Sequence, residues 1–331
     1  MQSKPILIHT HFHNRRTGVT RSIENVFPFF DVHFDAYIYG YGVEGRKISF
    51  REILKLVLSK KHFTLHCHRN NEMMRAIFLR MIGGNFKLIS TRHAETKPSK
   101  LTQFLLKKSD IVVALTQKMS DELSFPTTVV GHGVDVDVFK PDYTKKLSFI
   151  RQNNIITCAG RVRKAKGQKE LLKAVAPLLK HNPDWALVVV GKVDKPSFLE
   201  ELKLISQQNE VTNQVYFLEE TPEIISIYQA SHSVVVPSFT EGFSLVCAEA
   251  MACGCNVIAT KNVGIHSELI SHEQNGYLFE AGNVEQLSNI VQKLVDDDLK
   301  HLGIEARRTI VQRWSAEHEA QKLAQFYLVD P

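Results

Sequence analysis

Two carboxylates and two cations carry the chemistry legible in this chain. Glu241 and Glu249 stand eight positions apart in Thr240-Glu-Gly-Phe-Ser-Leu-Val-Cys-Ala-Glu249, and Arg161 and Lys166 lie in Gly160-Arg-Val-Arg-Lys-Ala-Lys-Gly167. Each segment follows an apolar strand pattern, 233–237 in one case and 155–159 in the other, and each leads into a helical one. That places both at the carboxyl edge of a sheet, where open α/β sheets bind ligands. Glu241 falls at the strand end and Glu249 about two turns down the next helix. The separation is too long for joint acid–base work on one bond. A glutamate at each end of such a helix, with free amides between, suits hydroxyls at both ends and phosphates in the middle. Gly160 at a strand end lets backbone approach a ligand, and the two cations can flank a diphosphate. The loop is not a Walker A motif, because Gly167 and Gln168 follow Lys166 where Ser or Thr is required. An exposed basic loop is the plainer reading of the same residues.

The elements that must hold these residues recur along the whole chain. In the first half, strands are predicted at 6–12, 35–39, 63–68, 87–91, 110–115 and 127–130, with helices at 48–58, 72–82, 101–107 and 117–123. A polar stretch at 141–146 reads as a linker, and the alternation then restarts. Strands follow at 155–159, 187–190, 215–218, 233–237, 256–259 and 276–279, with helices at 168–180, 197–208, 223–230, 245–252 and 284–297. Such alternation gives βα units and parallel sheets. The expected fold class is α/β, with doubly wound domains over residues 1–146 and 147–314. A last helix over 315–329 has Ser315 as its cap and Glu317 and Glu319 in its first turn.

The 331 residues, 44% hydrophobic and 23% charged, suffice for two cores of ordinary soluble type. No apolar run approaches the roughly 18 to 20 residues of a membrane span. The chain enters a strand pattern at once, without the leader and cleavage site of a secretory signal. Five cysteines, odd in number and mostly in apolar segments, suggest buried thiols in a reducing cytoplasm. Charge is uneven: residues 1–150 hold 23 Lys/Arg against 13 Asp/Glu, or +10, and the remaining 18 against 22 give −4. A basic half implies an anionic partner there (membrane surface, phosphorylated lipid or nucleic acid), or simply a solvated basic surface.

Gly40-Tyr-Gly-Val-Glu-Gly45 matches the dinucleotide fingerprint, but follows the second strand and lacks the acid expected about 20 residues on; it reads as a loop. His9, His11 and His13 alternate on the first strand, as His66 and His68 do on the third, and paired strand histidines can bind metal. The further carboxylate and histidines of a metal hydrolase barrel are not evident, so no metal site is assigned. His93 ends a predicted strand near the expected inter-domain cleft, as a site residue or a structural histidine. Thr17-Gly-Val-Thr-Arg-Ser22 opens a helix whose amides can face a phosphate. Arg46–Lys61 is a basic amphipathic stretch, for an anionic membrane or for core packing. Cys253-Gly-Cys255 has no partner pair for zinc.

Gly160-Arg161, Lys166-Gly167, Glu241-Gly-Phe-Ser-Leu245 with Glu249, and Gly131-His-Gly-Val-Asp135 with Phe139-Lys-Pro141 together resemble the retaining glycosyltransferases of family 4, with the GT-B fold. The resemblance covers nearly the whole chain. It implies two Rossmann-like domains facing a cleft, the first for acceptor and the second for nucleotide sugar, and a closing Trp314-Ser315 helix that crosses back to the first domain over 315–331. Within the family, Arg15-Arg-Thr-Gly-Val-Thr-Arg-Ser-Ile-Glu24 is most similar to lipopolysaccharide core mannosyltransferases.

The resemblance implies roles at the matched positions. Arg161 and Lys166 would neutralise the donor diphosphate and stabilise the leaving group. Glu249 would bind ribose hydroxyls and Glu241 hydroxyls of the sugar, with Gly160 and the amides near Phe243, Ser244 and Leu245 reaching sugar or phosphate. Gly18 would close over the diphosphate, and His93 would approach donor sugar and acceptor. Backbone near 217–221 would read the base. The implied enzyme is a metal-independent, cofactor-free hexosyltransferase that retains configuration. Its implied reaction moves mannose from GDP-mannose to a lipopolysaccharide core or other anionic, lipid-linked glycan. It would work in the cytoplasm, peripherally on the inner face of the cytoplasmic membrane, without nucleic acid. The alternatives are a UDP-sugar donor (glucose, N-acetylglucosamine or galactose), a sugar-nucleotide epimerase on the same fold, and a non-catalytic binding module.

Overall fold

The structure, a computed structural model, describes residues 4–14 and 17–328. Arg15 and Arg16 of the opening motif, and residues 329–331, among them Val329 at the end of the expected last helix, lie outside the described residues. The chain divides into two compact units, residues 1–135 with 314–331, and residues 136–313.

The first unit is built on a parallel sheet of β1 (Ile6–Phe12), β2 (Asp35–Tyr41), β3 (Thr64–Cys67), β4 (Lys87–Arg92), β5 (Ile111–Ala114) and β6 (Thr128–Val129), in the order β2-β1-β3-β4-β5-β6. Helices α1 (Gly18–Val26), α2 (Phe50–Leu58), α3 (Asn70–Met81), α4 (Lys100–Leu106) and α5 (Gln117–Asp121) connect the strands. β4 is buried along its whole length, as a strand covered on both faces must be. The basic stretch expected to form an amphipathic helix does so as α2, started by a reciprocal Ser49–Glu52 capping box. Ile53 and Val57 turn into the core. The Gly40–Gly45 segment is a tightly packed turn. A Cβ on Gly40, where φ is +124°, would stand 2.0 Å from the His11 carbonyl oxygen, and one on Gly45 would stand 2.8 Å from the Phe27 ring. These glycines serve close packing within the fold.

The second unit repeats the plan with β7 (Asn154–Ala159), β8 (Trp185–Val190), β9 (Val215–Leu218), β10 (Ser233–Val236), β11 (Asn256–Thr260) and β12 (Tyr277–Phe279), all parallel, in the order β12-β11-β10-β7-β8-β9. Its helices are α6 (Gln168–Leu179), α7 (Pro196–Gln208), α8 (Ile224–Ala230), α9 (Leu245–Ala252), α10 (His266–Leu269), α11 (Val284–Val295) and α12 (Gly303–Arg313). Ile156, Leu187 and Val189 of the sheet pack with Leu171 and Val175 of α6 and Val291 of α11, all fully buried. Each such side chain contributes about 1.5–3 kcal/mol by leaving water.

The division between units falls ahead of the polar 141–146 stretch that reads as a linker. Residues 136–141 are held by the second unit instead. Arg307 donates to the carbonyls of Val136 (3.1 Å), Phe139 (3.0 Å) and Ala252 (2.6 Å), and Gln229 donates to that of Lys140 (2.9 Å). A backbone whose carbonyls are taken up this way belongs to the body that satisfies them. After α12 the chain rejoins the first unit. Val134 N–H donates to Trp314 O (2.9 Å) and Ala316 N–H to Val134 O (2.8 Å). The contact is close enough that a Cβ on Gly133 would meet Ser315 O at 2.3 Å. Helix α13 (Ala316–Leu328) then buries Ala320, Leu323 and Tyr327 against Ile23, Phe30 and Phe34.

Candidate active site

In the second sheet the strand order reverses between β7 and β10, the neighbours at its centre. A crevice outside the carboxyl ends of strands at such a switch point is where doubly wound sheets bind ligands. Both candidate motifs leave from these two strands. The loop after β7 passes Gly160, whose φ is +120° with open space where a Cβ would stand. A short 3-10 turn, Lys164–Lys166, follows. Gly167 then takes φ +70° against β10: a Cβ there would lie 2.0 Å from the Pro237 carbonyl oxygen. Phe239 N–H donates to Ala165 O at 3.0 Å, stapling the two loops together.

That staple unites residues 75 positions apart. Lys166 Nζ donates to Glu241 Oε1 at 2.5 Å, with the two side chains 15% and 10% exposed. Ser238 Oγ donates to the same oxygen at 2.7 Å. Arg161 stands further out, 42% exposed, with NH1 3.5 Å from Asp194 Oδ1. Glu249 is fully buried on α9, where its Oε2 accepts from the Tyr228 hydroxyl at 3.4 Å. The structure therefore joins Lys166 with Glu241, leaves Arg161 partly exposed against Asp194, and holds Glu249 buried on α9.

Between the glutamates, Phe243 and Ser244 lead into α9. Ser244 sits at φ +94°, ψ +63°, a left-handed conformation that costs a non-glycine residue about 1–2 kcal/mol. A buried histidine absent from the sequence reading accompanies that strain. His266 Nδ1–H donates to Thr260 O at 2.9 Å, which leaves Nε2 to accept from Ser244 Oγ at 2.8 Å. Gly264, at φ +53°, lets its loop press on the first glutamate, since a Cβ there would lie 2.7 Å from Glu241 Cβ. The segment Lys261-Asn-Val-Gly-Ile-His266 thus backs the site. The amides of Leu245 and Val246 belong to the first turn of α9, whose N–H groups have no partner within a helix.

The first sheet reverses order between β1 and β3. Gly18 opens α1 just beyond β1, with open space around it. Arg69 precedes α3 and donates from NH2 to Thr17 Oγ1 at 3.0 Å, while its buried Nε has no hydrogen-bond partner. His93 follows β4, with Nε2 3.1 Å from His68 Nδ1 and Nδ1 3.2 Å from His132 Nε2. At this edge lies a cavity of about 700 Å³ lined by Arg69, Asn70, Asn71, His93, Lys97 and Ser99, among others. His9, His66 and His68 bring ring nitrogens within 4.8 Å of one another. Each of those rings is spoken for by other protein groups: His9 and His68 bond each other at 3.2 Å, and His66 bonds Tyr327 and Thr91 at 2.7 Å. His11 stands apart, on the Tyr41 carbonyl (2.6 Å) and Thr20 Oγ1 (3.1 Å). All five cysteines are buried and unpaired, as their apolar settings suggested.

A family model described as "Glycosyl transferases group 1" matches residues 139–313, more than half of the chain, and the matched span contains Arg161, Lys166, Glu241 and Glu249. The chain belongs to the group 1 glycosyltransferases. Among its relatives is the lipopolysaccharide core biosynthesis mannosyltransferase LpcC of Rhizobium leguminosarum bv. viciae, 28% identical over 97% of this chain and 95% of that one. The corresponding LpsB of Rhizobium meliloti (strain 1021) is 30% identical over 79% of this chain and 78% of its own. The mannosyltransferase resemblance of the opening motif thus extends well beyond it. Among solved structures, Anabaena HepE in complex with UDP and glucose aligns with a TM-score of 0.79, over 97% of this chain and 98% of that one, at 18% identity. This glycosyltransferase therefore has the two Rossmann-like, parallel-sheet halves of the GT-B fold, each of six strands.

Proposed function

We propose that this glycosyltransferase moves mannose from GDP-mannose onto a lipopolysaccharide core, with retention of configuration and without a metal ion. The observation that carries the reading is the meeting of Lys166 and Glu241 at the β7–β10 switch point. An ammonium and a carboxylate in contact there match the two halves of a nucleotide sugar, phosphate and hydroxyl. On donor binding Lys166 and Arg161 take the diphosphate, standing where a metal would otherwise neutralise it. Glu241 holds sugar hydroxyls, Glu249 the ribose, and the residue 243–245 amides the sugar or phosphate. Mannose and the lipopolysaccharide core come from the named activities of the two Rhizobium relatives.

The first unit takes the acceptor in this reading. Arg69 and Lys97 in the wall of its roughly 700 Å³ cavity suit a phosphorylated or carboxylated core sugar. Membrane contact is supported by the outer faces of α3 and α4. Met74, Phe78 and Met81 are 48%, 53% and 79% exposed there, and Leu101 and Phe104 54% each, with Lys100, Lys107 and Lys108 on or next to α4. Among the described residues no helix is long and apolar enough to cross a membrane.

A thermal-shift panel of GDP-mannose, UDP-glucose, UDP-galactose and UDP-N-acetylglucosamine tests the donor assignment. A donor at 100 times its Kd adds about 2.7 kcal/mol, so GDP-mannose should raise the midpoint and the UDP sugars should not. The reverse order would replace mannose by a UDP-linked sugar. Isomerised donor formed without any acceptor would make the enzyme an epimerase.

A further inference from the structure

A continuous run of hydrogen bonds crosses the first unit from Glu319 on α13 to Thr91 in β4. Glu319 Oε1 lies 3.1 Å from His132 Nδ1, whose ring partner Nε2 lies 3.2 Å from His93 Nδ1. His93 Nε2 is 3.1 Å from His68 Nδ1, and His68 Nε2 is 3.2 Å from His9 Nδ1. His9 Nε2 then meets the Tyr327 hydroxyl at 3.3 Å, and that hydroxyl lies 2.7 Å from His66 Nδ1. The run ends with His66 Nε2 at 2.7 Å from Thr91 Oγ1. All five rings are oriented alike: Nδ1 faces the Glu319 end and Nε2 faces away.

A neutral imidazole offers one donor and one acceptor. A run of like-oriented neutral rings can therefore satisfy every bond in only two ways, with all protons on Nδ1 or all on Nε2. A carboxylate only accepts. The other Glu319 oxygen is already occupied, accepting from Gly133 N–H at 2.6 Å.

We infer that Glu319 is a positioning residue that sets the tautomer of five histidines. Each carries its proton on Nδ1, Tyr327 donates to His9, and Thr91 donates to His66. His68 and His93 both reach the wall of the roughly 700 Å³ cavity, so the polarity fixed at α13 is presented to whatever that cavity binds. The purpose assigned to it rests on the acceptor reading of the cavity; the polarity itself does not. Burial holds His9, His66, His68 and His93 below the ordinary imidazole range, which keeps the rings neutral, and raises the Tyr327 hydroxyl, which keeps it a donor. The cavity lined by His9, His66, His68 and His132 measures about 10 Å³, room for no more than one water, so no water network separates the rings, whose nitrogens bond one another at 3.1–3.2 Å.

Glu319→Gln tests this, because Gly133 N–H dictates how the new amide turns. The amide oxygen must face that donor, so its NH₂ faces His132 Nδ1, and every ring must shift its proton to Nε2. Long-range ¹H–¹⁵N correlation spectra of the full chain read the tautomers directly. In the wild type, His9, His66, His68, His93 and His132 should all show a protonated Nδ1 and a bare Nε2. In Glu319→Gln the pattern should invert and turnover should fall roughly tenfold or more, while the thermal shift given by GDP-mannose stays unchanged. Tyr327→Phe, should the first variant not fold, cuts only the His9–His66 link. His9, His68, His93 and His132 should then keep their Nδ1 protons. A wild type with mixed tautomers, or with His132 protonated on both nitrogens and the others on Nε2, would overturn the inference. So would a Glu319→Gln spectrum identical to the wild type. Inverted tautomers with full turnover would overturn the role at the cavity and with it the acceptor reading, independently of the donor assignment.

Discussion

Lys166→Met removes the ammonium of the proposed donor site and keeps its alkyl stem. The variant leaves the Glu241 carboxylate, only 10% exposed, without the cation 2.5 Å away, though still with the Ser238 hydroxyl at 2.7 Å. Breaking a fully buried pair costs about 3–5 kcal/mol. The residual exposure and the retained hydroxyl bond reduce that to roughly 2–3 kcal/mol. With a denaturant slope of about 2–3 kcal/mol per M, the urea midpoint of the second unit should fall by about 1 M. Adding Glu241→Gln should recover most of the loss, since a neutral amide needs no counter-charge and contacting residues are not additive. A second consequence concerns the donor. Loss of one charge-assisted bond to phosphate, about 1.5–3 kcal/mol, should weaken GDP-mannose binding roughly 10- to 100-fold. Urea melts with and without the nucleotide sugar read both effects in one series. A Lys166→Met protein within about 0.5 kcal/mol of wild type, with unchanged donor binding, would refute the argument from the pair.

Gly167→Ala should be more disruptive than its size suggests. The new methyl would meet the Pro237 carbonyl at 2.0 Å from a backbone at φ +70°, so a loss of at least about 2 kcal/mol together with transferase activity is expected; a stable, active variant in urea melts and transfer assays would contradict the staple. Stability of the first unit should also fall in mild acid. Burial pushes His9 down to about 3 and holds His66, His68 and His93 below the ordinary range, whereas unfolded histidines protonate near 6.5. Below pH 6.5 the unfolded chain therefore binds more protons, so stability present above that pH is lost as pH falls toward the folded values, by about 1.4 kcal/mol per pH unit for each such ring. Urea midpoints at pH 7.5 and 5.0 measure it, and equal midpoints would contradict the buried, neutral assignment.

Most strands were legible because they are short β-rich runs separated by polar turns, and β1, β9 and α9 have the bounds the pattern predicts. Helix α12 leaves little trace in the sequence, since apart from Gly303 at its start only Ala306 and Ile310 face inward on it and so sparse a stripe gives a weak periodic signal. The donor loops were legible for the opposite reason. Charged residues directly after apolar strands stand out, and a glycine beside them marks a close approach. What the chain could not reveal by spacing is which of those charges touch. Lys166 meets Glu241 because β7 and β10 are neighbours, a long-range fact. His266 carries no signal in the sequence because its partner Ser244 is 22 positions away and the left-handed backbone there has no glycine to announce it. The strand histidines were visible as alternating residues and suggested metal as one alternative. Their hydrogen-bonded order depends on His132, Glu319 and Tyr327, which only the return of α13 brings to them.

Incubation of the purified protein with GDP-mannose and a lipopolysaccharide core lacking mannose, in excess EDTA, tests whether it is a retaining, metal-independent mannosyltransferase. The expected result is release of GDP and a mannosylated core whose new linkage keeps the donor's α configuration, with both lost in Lys166→Met. A β linkage, a requirement for divalent metal, or full turnover in Lys166→Met would contradict it.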